Sequence, residues 1–369
     1  MRIAILADAL DFQNAGIHYY LKGLLSAISA DLQGHEVMLV RPGGADKFPE
    51  FRELTVPGDR WTTPRGLVRV LHEIPALLKK EKVEVVIEPA HFGPFNLPPE
   101  MRRITIIHDL TPVILPEYHP FYSNLAHRLL LPGILRKADQ IIVNSENTGR
   151  DLTGRFPFVS GKVTKVSPAR DNAFHPRKNS KVLQKYGISS PYILTVGTIE
   201  PRKNLNLMLK AFEKIRLSLQ LPIEWVIAGG PGWKNNSFYE ALEKSPAKKD
   251  VRITGYAERA DLPALYSSCE VFAYPSHYEG FGLPALEAMA CSAPVLLSGS
   301  SSMPEVGGEA ALYFNPGAGS AELEVLLAEL LNDTQQKSSL SQKSLERAAT
   351  FSPEITRGQF FQAISKSTN

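Results

Sequence analysis

Two carboxylates, Glu279 and Glu287, are separated by seven residues that include a Gly-Phe-Gly-Leu-Pro turn. The two glycines of this turn can adopt backbone angles that other residues avoid. Pro284 suits the first turn of a helix, where its missing N–H costs no hydrogen bond, and the Ala, Leu, Glu and Met residues that follow favour a helix. A helix N-terminus offers free N–H groups and a positive dipole end to an anion. The spacing therefore predicts a phosphate-binding position between two hydrogen-bond acceptors, which suits a nucleoside diphosphate with hydroxyl-rich sugars at both ends.

The residues before this turn also favour a function there. Residues 271–275 read Val-Phe-Ala-Tyr-Pro, a short apolar run typical of a buried parallel strand. Open α/β sheets bind ligands where a strand ends and the next helix begins. Taken alone, two glutamates at this spacing are more often solvated surface charges. The glycine-rich turn and the strand before it favour the functional interpretation.

Arg202 and Lys203 follow a predicted strand and a tight turn. Two cations at such a position would neutralise a diphosphate and stabilise the charge that grows on it as a glycosidic bond breaks. An exposed Arg-Lys pair of no special function is more common on composition alone. The position of this pair, after Gly197 and before an Asn-Leu pair, favours function.

His108 ends the apolar run 104–107 and is expected at the carboxyl edge of a parallel sheet. A neutral imidazole there can hydrogen-bond a sugar hydroxyl, and Asp109 can do the same or cap the following turn. A lone histidine is more often structural than catalytic, so both interpretations stay open. Gly16, before the first predicted helix, would let backbone N–H groups approach a phosphate or an acceptor, although a single glycine is a weak signal.

The motifs of several other enzyme classes do not occur in the sequence. The Gly-Gly-Pro-Gly run at 229–232 is not followed by Lys-Ser or Lys-Thr and is not a P-loop. The first predicted strand is not followed by GxGxxG, which argues against a dinucleotide-dependent oxidoreductase. No Asp-x-Asp motif stands in a suitable loop. We therefore expect an enzyme without a metal or a bound cofactor.

The bulk properties are those of a globular protein with two domains. A chain of 369 residues, 43% hydrophobic and 21% charged, is too long for one ordinary domain. No run approaches the roughly 18 apolar residues that span a bilayer, and Asp8 argues against a signal peptide. Cys269 and Cys291 have neither metal nor redox spacing. These features predict a cytoplasmic protein.

The charge is shared unevenly between the two halves. Residues 1–170 hold 21 Lys and Arg against 18 Asp and Glu, and residues 171–369 hold 20 of each. This excess is too small to predict nucleic-acid binding. Basic residues of the first half, among them Arg128, Arg136 and Lys137, leave open a peripheral contact of the first domain with anionic lipid at the inner face of a membrane. Solvated helix faces explain them equally well.

Apolar strands alternate with helical stretches along the chain, which predicts parallel α/β layers. In the first half we predict strands at 2–7, 36–40, 83–87, 103–107 and 140–143, with helices at 17–32 and 68–80. Residues 167–191 are polar and interrupted by prolines, which predicts an interdomain linker. In the second half we predict strands at 192–196, 224–228, 251–254, 271–273, 294–297 and 311–314.

These motifs together resemble the retaining glycosyltransferases of family four, which have the GT-B fold and a Glu-x7-Glu signature. Glu279 and Glu287 match the signature, and residues 196–205 (Val-Gly-Thr-Ile-Glu-Pro-Arg-Lys-Asn-Leu) look like the phosphate-clamping loop. Residues 253–256 (Ile-Thr-Gly-Tyr), followed by residues 262–266 (Leu-Pro-Ala-Leu-Tyr), match the base-binding region. Residues 107–112, 138–146, 226–230 and 302–306 also fit. The likeness is dense from about residue 104 to residue 316.

The resemblance implies two Rossmann-like α/β domains that face a central cleft. Residues 1–170 would form the acceptor-binding domain, residues 171–350 the donor-binding domain, and residues 351–369 a helix that crosses back to the first domain. The implied reaction moves a hexose from a nucleotide-diphosphate sugar, of the UDP-glucose or GDP-mannose type, to a glycan or lipid-linked acceptor. The alternatives are a nucleotide-sugar epimerase or phosphorylase of the same fold, and an inactive sugar-nucleotide-binding partner.

The resemblance also assigns roles to single residues. Glu287 would accept hydrogen bonds from ribose hydroxyls, and Glu279 would contact the transferred sugar. Thr198 departs from the family, which often has a basic residue there, so either Arg202 supplies the second cation or one cation suffices. The implied catalytic residues are His108, Glu279, Arg202 and Lys203, and the implied donor-binding residues are Gly16, Asp109, Gly197, Thr198, Tyr256, Gly280, Phe281, Gly282, Leu283 and Glu287.

Overall fold

The computed structural model describes residues 1–12, 16–44, 46–59, 63–92, 96–219 and 222–368. The chain divides into two compact units. Unit 1 contains Met1–Ile114, Phe121–Ala169 and Phe351–Asn369, and unit 2 contains Leu115–Pro120 and Arg170–Thr350. None of the helices within the described ranges is both long enough and apolar enough to cross a bilayer.

Unit 1 is built on a parallel sheet of seven strands in the order β3-β2-β1-β4-β5-β6-β7. The strands are β1 (Arg2–Leu6), β2 (Glu36–Arg41), β3 (Arg52–Thr55), β4 (Val85–Glu88), β5 (Arg102–Ile107), β6 (Gln140–Val143) and β7 (Val163–Lys165). The helices in the same stretch are α1 (Ala9–Phe12), α2 (Gly16–Ser29), α3 (Pro64–Val68), α4 (Ile74–Lys80), α5 (Thr111–Ile114), α6 (Phe121–Lys137) and α7 (Glu146–Arg155).

Unit 2 is built on a second parallel sheet, of six strands in the order β10-β9-β8-β11-β12-β13. Its strands are β8 (Tyr192–Val196), β9 (Glu224–Ala228), β10 (Val251–Gly255), β11 (Val271–Tyr274), β12 (Val295–Ser298) and β13 (Ala311–Phe314). Its helices are α8 (Ser180–Lys185), α9 (Leu205–Leu219), α10 (Asn236–Lys244), α11 (Leu262–Ser268), α12 (Leu283–Ala290), α13 (Met303–Gly307), α14 (Ala321–Asn332) and α15 (Thr334–Ala349), and α16 (Pro353–Thr368) follows in unit 1.

Each sheet is covered on both faces, as parallel sheets require. In β1, Ile3 and Ile5 belong to one apolar core and Ala4 and Leu6 to another, because successive strand residues point to opposite faces. The core that contains Ile3 also takes in Phe360, Phe361, Ala363 and Ile364 of α16. The predicted fold class, two α/β units with parallel sheets, is confirmed.

Two elements are less regular or more regular than the sequence pattern suggested. The helix predicted at 68–80 is interrupted by a π-helical turn over Arg69–Glu73. Pro75 follows in α4 and has no N–H to donate into a regular α-helical ladder, and the buried Arg69 donates to both carboxylate oxygens of Asp8, at 2.6 and 2.8 Å. The predicted linker is also not wholly irregular. It contains α8, which begins after Asn179, whose side chain accepts from the N–H of Lys181.

Candidate active site

The Gly-Phe-Gly turn of unit 2 leads directly into α12, as the sequence predicts. Gly282, the residue before the helix, has φ of 98°, a left-handed conformation that favours glycine. A Cβ on Gly282 would also lie 2.2 Å from the terminal methyl of Met303. Gly280, Phe281 and Gly282 are buried and Leu283 is half-buried. With glycine at the cap position, no side chain covers the N–H groups of the first helical turn.

Glu279 lies just before this turn, buried between two cations. Its carboxylate is 2.8 Å from Arg202 and 2.7 Å from the Lys203 ammonium. Burial alone would raise the pKa of Glu279, but the charges of Arg202 and Lys203 outweigh it and lower the pKa to about 2. Glu279 is therefore a carboxylate at every ordinary pH.

The two cations differ in their further contacts. Lys203 is buried and its ammonium donates to the hydroxyl of Tyr274 at 2.6 Å. Burial lowers the pKa of Lys203, and the neighbouring charge of Arg202 lowers it further. The carboxylate of Glu279 opposes both effects but does not cancel them. Arg202 donates to the main-chain oxygen of Tyr278 at 2.8 Å and to Glu200 at 2.5 Å. The result is a buried group of two cations and two carboxylates, Arg202, Lys203, Glu200 and Glu279, which we call the charge cluster.

Two glycines make room for the charge cluster. Gly197 has φ of 141°, and a Cβ there would lie 3.3 Å from the Lys203 side chain. A Cβ on Gly229 would lie 1.9 Å from the main-chain oxygen of Gly197, so the loops after β8 and β9 touch through their backbones. Thr198, next to Gly197, is exposed and lies outside the charge cluster.

Glu287 lies one turn inside α12 and has a partner set of its own. It accepts hydrogen bonds from Arg259 at 3.0 Å and from the Tyr266 hydroxyl at 3.1 Å. Arg259 also donates to Asp171 at 2.7 Å. Burial raises the pKa of Glu287, and the charge of Arg259 opposes that effect only in part. Glu287 and Glu279 are thus held by separate groups.

Serine side chains fix the backbone around Glu279. The N–H of Glu279 donates to the hydroxyl of Ser301 at 2.9 Å. The hydroxyl of Ser302 lies 2.9 Å from the main-chain oxygen of Glu279 and 2.8 Å from that of Phe281. Tyr256, predicted to bind the base, follows β10 and is 63% exposed, so its ring is accessible to a ligand.

In unit 1, His108 is the first residue after β5 and is buried. Its Nε2 lies 2.6 Å from the main-chain oxygen of Pro89, and its main-chain N–H donates to Nε2 of His91 at 3.0 Å. Burial lowers the pKa of His108, which favours the neutral ring. Asp109 accepts from the N–H of Thr111 at 2.9 Å and from its hydroxyl at 2.6 Å, so it caps the turn that follows.

Gly16 is the first residue of α2. A Cβ there would meet no atom within 4 Å, so packing among the described residues does not require glycine. The loop before it, residues 13–15, lies outside the described residues.

The structure brings Arg202, Lys203 and Glu279 into direct contact and places Gly197 against them. Sequence reasoning missed Glu200, Tyr274, Arg259 and Tyr266 as partners of the predicted residues. Glu200 and Tyr266 stand in the runs that carry the family likeness, so their position in the chain was a usable signal. Among the described residues, no group of three or more His, Cys, Asp or Glu side chains is arranged to hold a metal ion.

Two family models match the two halves of the chain. Residues 15–173 match "Glycosyltransferase Family 4" and residues 179–347 match "Glycosyl transferases group 1". O-antigen chain mannosyltransferase B from Escherichia coli is 32% identical over 98% of this chain and 99% of its own length. The chain belongs to glycosyltransferase family 4.

Other members and solved structures agree with this assignment. The serotype-specific mannosyltransferase WbdA from Escherichia coli is 28% identical over 68% of this chain, but only 32% of its own length is matched. Among solved structures, sucrose-phosphate synthase from Thermosynechococcus elongatus has a TM-score of 0.77 at 19% identity, over 99% of this chain and 98% of that chain. HepE from Anabaena in complex with UDP-glucose has a TM-score of 0.76 at 16% identity, over 99% of each chain. At these identities the solved structures show the fold, which is GT-B, and this family 4 chain is a glycosyltransferase.

Proposed function

We propose that this glycosyltransferase moves mannose from GDP-mannose to a growing glycan or a lipid-linked saccharide, with retention of anomeric configuration and without a metal ion. The sequence left UDP-glucose and GDP-mannose as alternative donors. The relative matched over its full length and WbdA, which is matched over part of its length, are both mannosyltransferases, and this favours mannose. The name of the full-length relative also favours an O-antigen-like polysaccharide as acceptor.

The observation that carries this proposal is the charge cluster directly before the N-terminus of α12. Arg202 and Lys203 are held within 2.8 Å of Glu279, beside a helix start that glycine leaves uncovered. A diphosphate bound there would meet two fixed cations and the N–H groups of the turn that leads into the helix, at Gly282 and Leu283. Because both cations are already in place, they stabilise the leaving diphosphate with little reorganisation as charge develops on it.

Each predicted residue has a role in this reaction. Lys203 and Arg202 stabilise the leaving diphosphate, the N–H groups of Phe281, Gly282 and Leu283 bind sugar and distal phosphate oxygens, and Glu287 accepts from the ribose. Gly197, Thr198, Gly280 and Tyr256 line the phosphate and base positions, and Glu279 contacts the transferred sugar. For unit 1 we propose that His108 contacts the sugar and that Gly16 and Asp109 bind the donor.

Retention follows from a same-face attack. The bond from C1 of the sugar to the phosphate oxygen breaks, the acceptor oxygen bonds to C1 on the same face, and the departing phosphate oxygen takes the acceptor proton. A double displacement would need a nucleophilic carboxylate. Glu279 is a weak nucleophile because two cations hold its pKa at about 2. This supports same-face attack.

The test is a donor panel with a defined saccharide acceptor. Purified enzyme is incubated with GDP-mannose and UDP-glucose, with and without EDTA, and nucleotide release and product are measured. We expect acceptor-dependent release from GDP-mannose that EDTA does not reduce, and a product whose anomeric configuration by NMR equals that of the donor. Inverted product, dependence on a divalent ion, or conversion of the donor without transfer would contradict the proposal, the last in favour of an epimerase.

We also propose that unit 1 contacts a membrane surface through α6. Phe121, Tyr122 and Leu129 on this helix are 79%, 76% and 67% exposed, and Phe121, Leu125 and Leu129 are spaced to share one face. The 17 residues of α6 contain no Asp or Glu, and its last turn holds Arg136 and Lys137. An exposed apolar face flanked by cations suits an anionic phospholipid surface, where a lipid-linked acceptor would be found.

Vesicle sedimentation of the full chain tests this contact. We expect binding to vesicles that contain phosphatidylglycerol and little binding to phosphatidylcholine alone. Leu129→Ser and Arg136→Glu should each weaken binding, whereas Leu217→Ser, which changes a similarly exposed leucine on α9, should not. A concentration-dependent dimer that Leu129→Ser abolishes, with no vesicle binding, would assign the α6 face to a second copy of the chain instead.

A further inference from the structure

The loop after β4 holds His108 at two points. The ring nitrogen Nε2 of His108 lies 2.6 Å from the main-chain oxygen of Pro89, and the main-chain N–H of His108 lies 3.0 Å from Nε2 of His91. The rings of His91 and His108 are stacked with centroids 5.6 Å apart. One short loop therefore fixes both the backbone and the ring of His108, directly after β5.

The chemistry of these partners fixes the proton on each ring. A carbonyl oxygen can only accept, so Nε2 of His108 carries the proton and Nδ1 of the neutral ring is an acceptor. A main-chain N–H can only donate, so Nε2 of His91 is unprotonated. Burial, together with the charges that His108 and His127 would carry, lowers the pKa of His91 to about 3, so the ring is neutral and its proton is on Nδ1.

The chain of hydrogen bonds continues to α6. Nδ1 of His91 lies 3.4 Å from Nε2 of His127, and Nδ1 of His127 lies 2.9 Å from the main-chain oxygen of Ser123. The Ser123 oxygen must accept, so a neutral His127 has a bare Nε2 that accepts from His91. Every donor meets an acceptor in this one set of ring forms.

The backbone of His91 is itself unusual. Its φ is 72°, a left-handed conformation that side-chain-bearing residues rarely adopt. Such outliers persist only where surrounding contacts hold them, and they concentrate at functional sites. Here the contacts are the two histidines and the ring of Phe92, which meets His127 edge-on with centroids 4.8 Å apart.

We propose that His91 is a positioning residue for His108: it holds the end of β5 and, with the Pro89 oxygen, leaves Nδ1 of His108 as the ring nitrogen that accepts a hydrogen bond from the transferred sugar. The inference rests on the proposed function for the role of His108 in the reaction. The hydrogen-bond chain that carries it is independent of that role. His91 itself does not touch the substrate in this account.

The test compares two substitutions of equal length. His91→Gln places an amide oxygen near the position of Nε2 and keeps an acceptor for the His108 N–H, whereas His91→Met removes it and leaves only a weakly accepting thioether. Both keep a Cβ in the left-handed conformation, so the backbone cost is matched. His72→Met, at an exposed histidine, is the control for loss of an imidazole elsewhere in unit 1.

Two measurements are made on the full chain. Transfer kinetics should show kcat of His91→Met lower by about 10²-fold, with a smaller change in donor KM, because a small displacement of a contacting group costs about that much. His91→Gln should recover most of the rate. Ring-nitrogen NMR should show the Nε2-protonated form of His108 in wild type and His91→Gln, and a mixture of ring forms in His91→Met.

Several results would overturn the proposal. The first is that His91→Met keeps the wild-type kcat and the wild-type His108 resonances. The second is that both variants lose kcat equally while the His108 resonances stay unchanged, which would mean that only the volume of the His91 ring matters. If wild type transfers no sugar, the proposed function fails, and the NMR comparison alone decides the role of His91. If thermal unfolding shows that His91→Met is not folded, His127→Met and His127→Gln are compared instead. His127 is one hydrogen bond further from His108, so we expect a smaller loss of kcat.

Discussion

The carboxyl ends of the two sheets hold opposite kinds of buried polar groups. In unit 2 three ion pairs of 2.5 to 2.8 Å join the two cations and two carboxylates of the charge cluster. In unit 1 the corresponding edge holds His108 and His91, whose lowered pKa values favour neutral rings, and Glu88, whose pKa burial raises to about 8. Under the proposed function, this contrast assigns the charge of the leaving group to unit 2, and it assigns uncharged hydrogen-bond partners at the ends of β4 and β5 to unit 1.

The largest expected effect is at the charge cluster. Lys203→Met removes a cation whose stabilisation grows with the charge on the diphosphate, so we expect kcat to fall by about 10²- to 10³-fold, and nucleotide affinity to fall less. Steady-state kinetics and calorimetry measure the two. Lys210→Met, at an exposed lysine on α9, is the matched control. Near-normal turnover of Lys203→Met would show that the helix N-terminus alone suffices and would weaken the contrast between the units.

The second effect concerns the neutral edge of unit 1. The pKa of Glu88 is about 8 in the folded chain against 4.5 as its ordinary value. Between these values the folded state retains a proton that the unfolded state has lost, so stability falls as pH rises. Glu88→Gln, which cannot ionise, should therefore be more stable than wild type at pH 8 by about 4 kcal/mol, with little difference below the ordinary pKa.

Thermal or urea unfolding across this pH range measures the difference. Glu100→Gln, at an exposed position, should follow wild type throughout. Parallel curves for Glu88→Gln and wild type would mean that Glu88 is ionised in the folded chain and that the edge of unit 1 is not neutral.

A smaller effect is expected at Glu287, which is held apart from the charge cluster. Loss of its hydrogen bonds to ribose should weaken nucleotide binding by about 1–3 kcal/mol in Glu287→Ala, measured by calorimetry with the free nucleotide. Glu240→Ala, an exposed position on α10, serves as reference. Unchanged affinity would remove the ribose role and leave Glu287 with a structural role as the partner of Arg259 and Tyr266.

The smallest effect is expected at Thr198, where the family resemblance led us to expect a basic residue. Since this side chain is exposed, a cation placed there is screened, and Thr198→Arg should change kcat by no more than about fivefold, the equivalent of about 1 kcal/mol. A much larger gain would show that Arg202 does not supply the second cation.

The sequence predicted those elements whose residues are apolar and buried. All five strands predicted in the first half and all six in the second are present to within a residue or two at their ends. Strands β3 and β7 were missed because both stand at sheet edges, where Arg52–Thr55 is mostly polar and Val163–Lys165 is only three residues long. Edge strands are short and charged in many proteins, so the apolar pattern that reveals a central strand is absent.

The site divides in the same way. Site residues that are adjacent in the sequence, such as Arg202 and Lys203, could be predicted from the motif that contains them. The contact between His91 and His108 could not, because it joins the loops after two different strands. A signal did exist: β4 and β5 are adjacent, and the carboxyl ends of adjacent parallel strands lie side by side. Using it required the strand order, which the sequence alone did not supply.

The return of α16 to unit 1 has a consequence for how the chain folds during synthesis. Domains usually fold in the order in which the ribosome makes them. Here the core that contains Ile3 and Leu21 also needs Phe360 and Ile364, which are made last, whereas nearly all of unit 2 is one continuous stretch. The unit that is begun first is therefore completed second, and until α16 leaves the ribosome the α2 side of the first sheet exposes an apolar surface to chaperones.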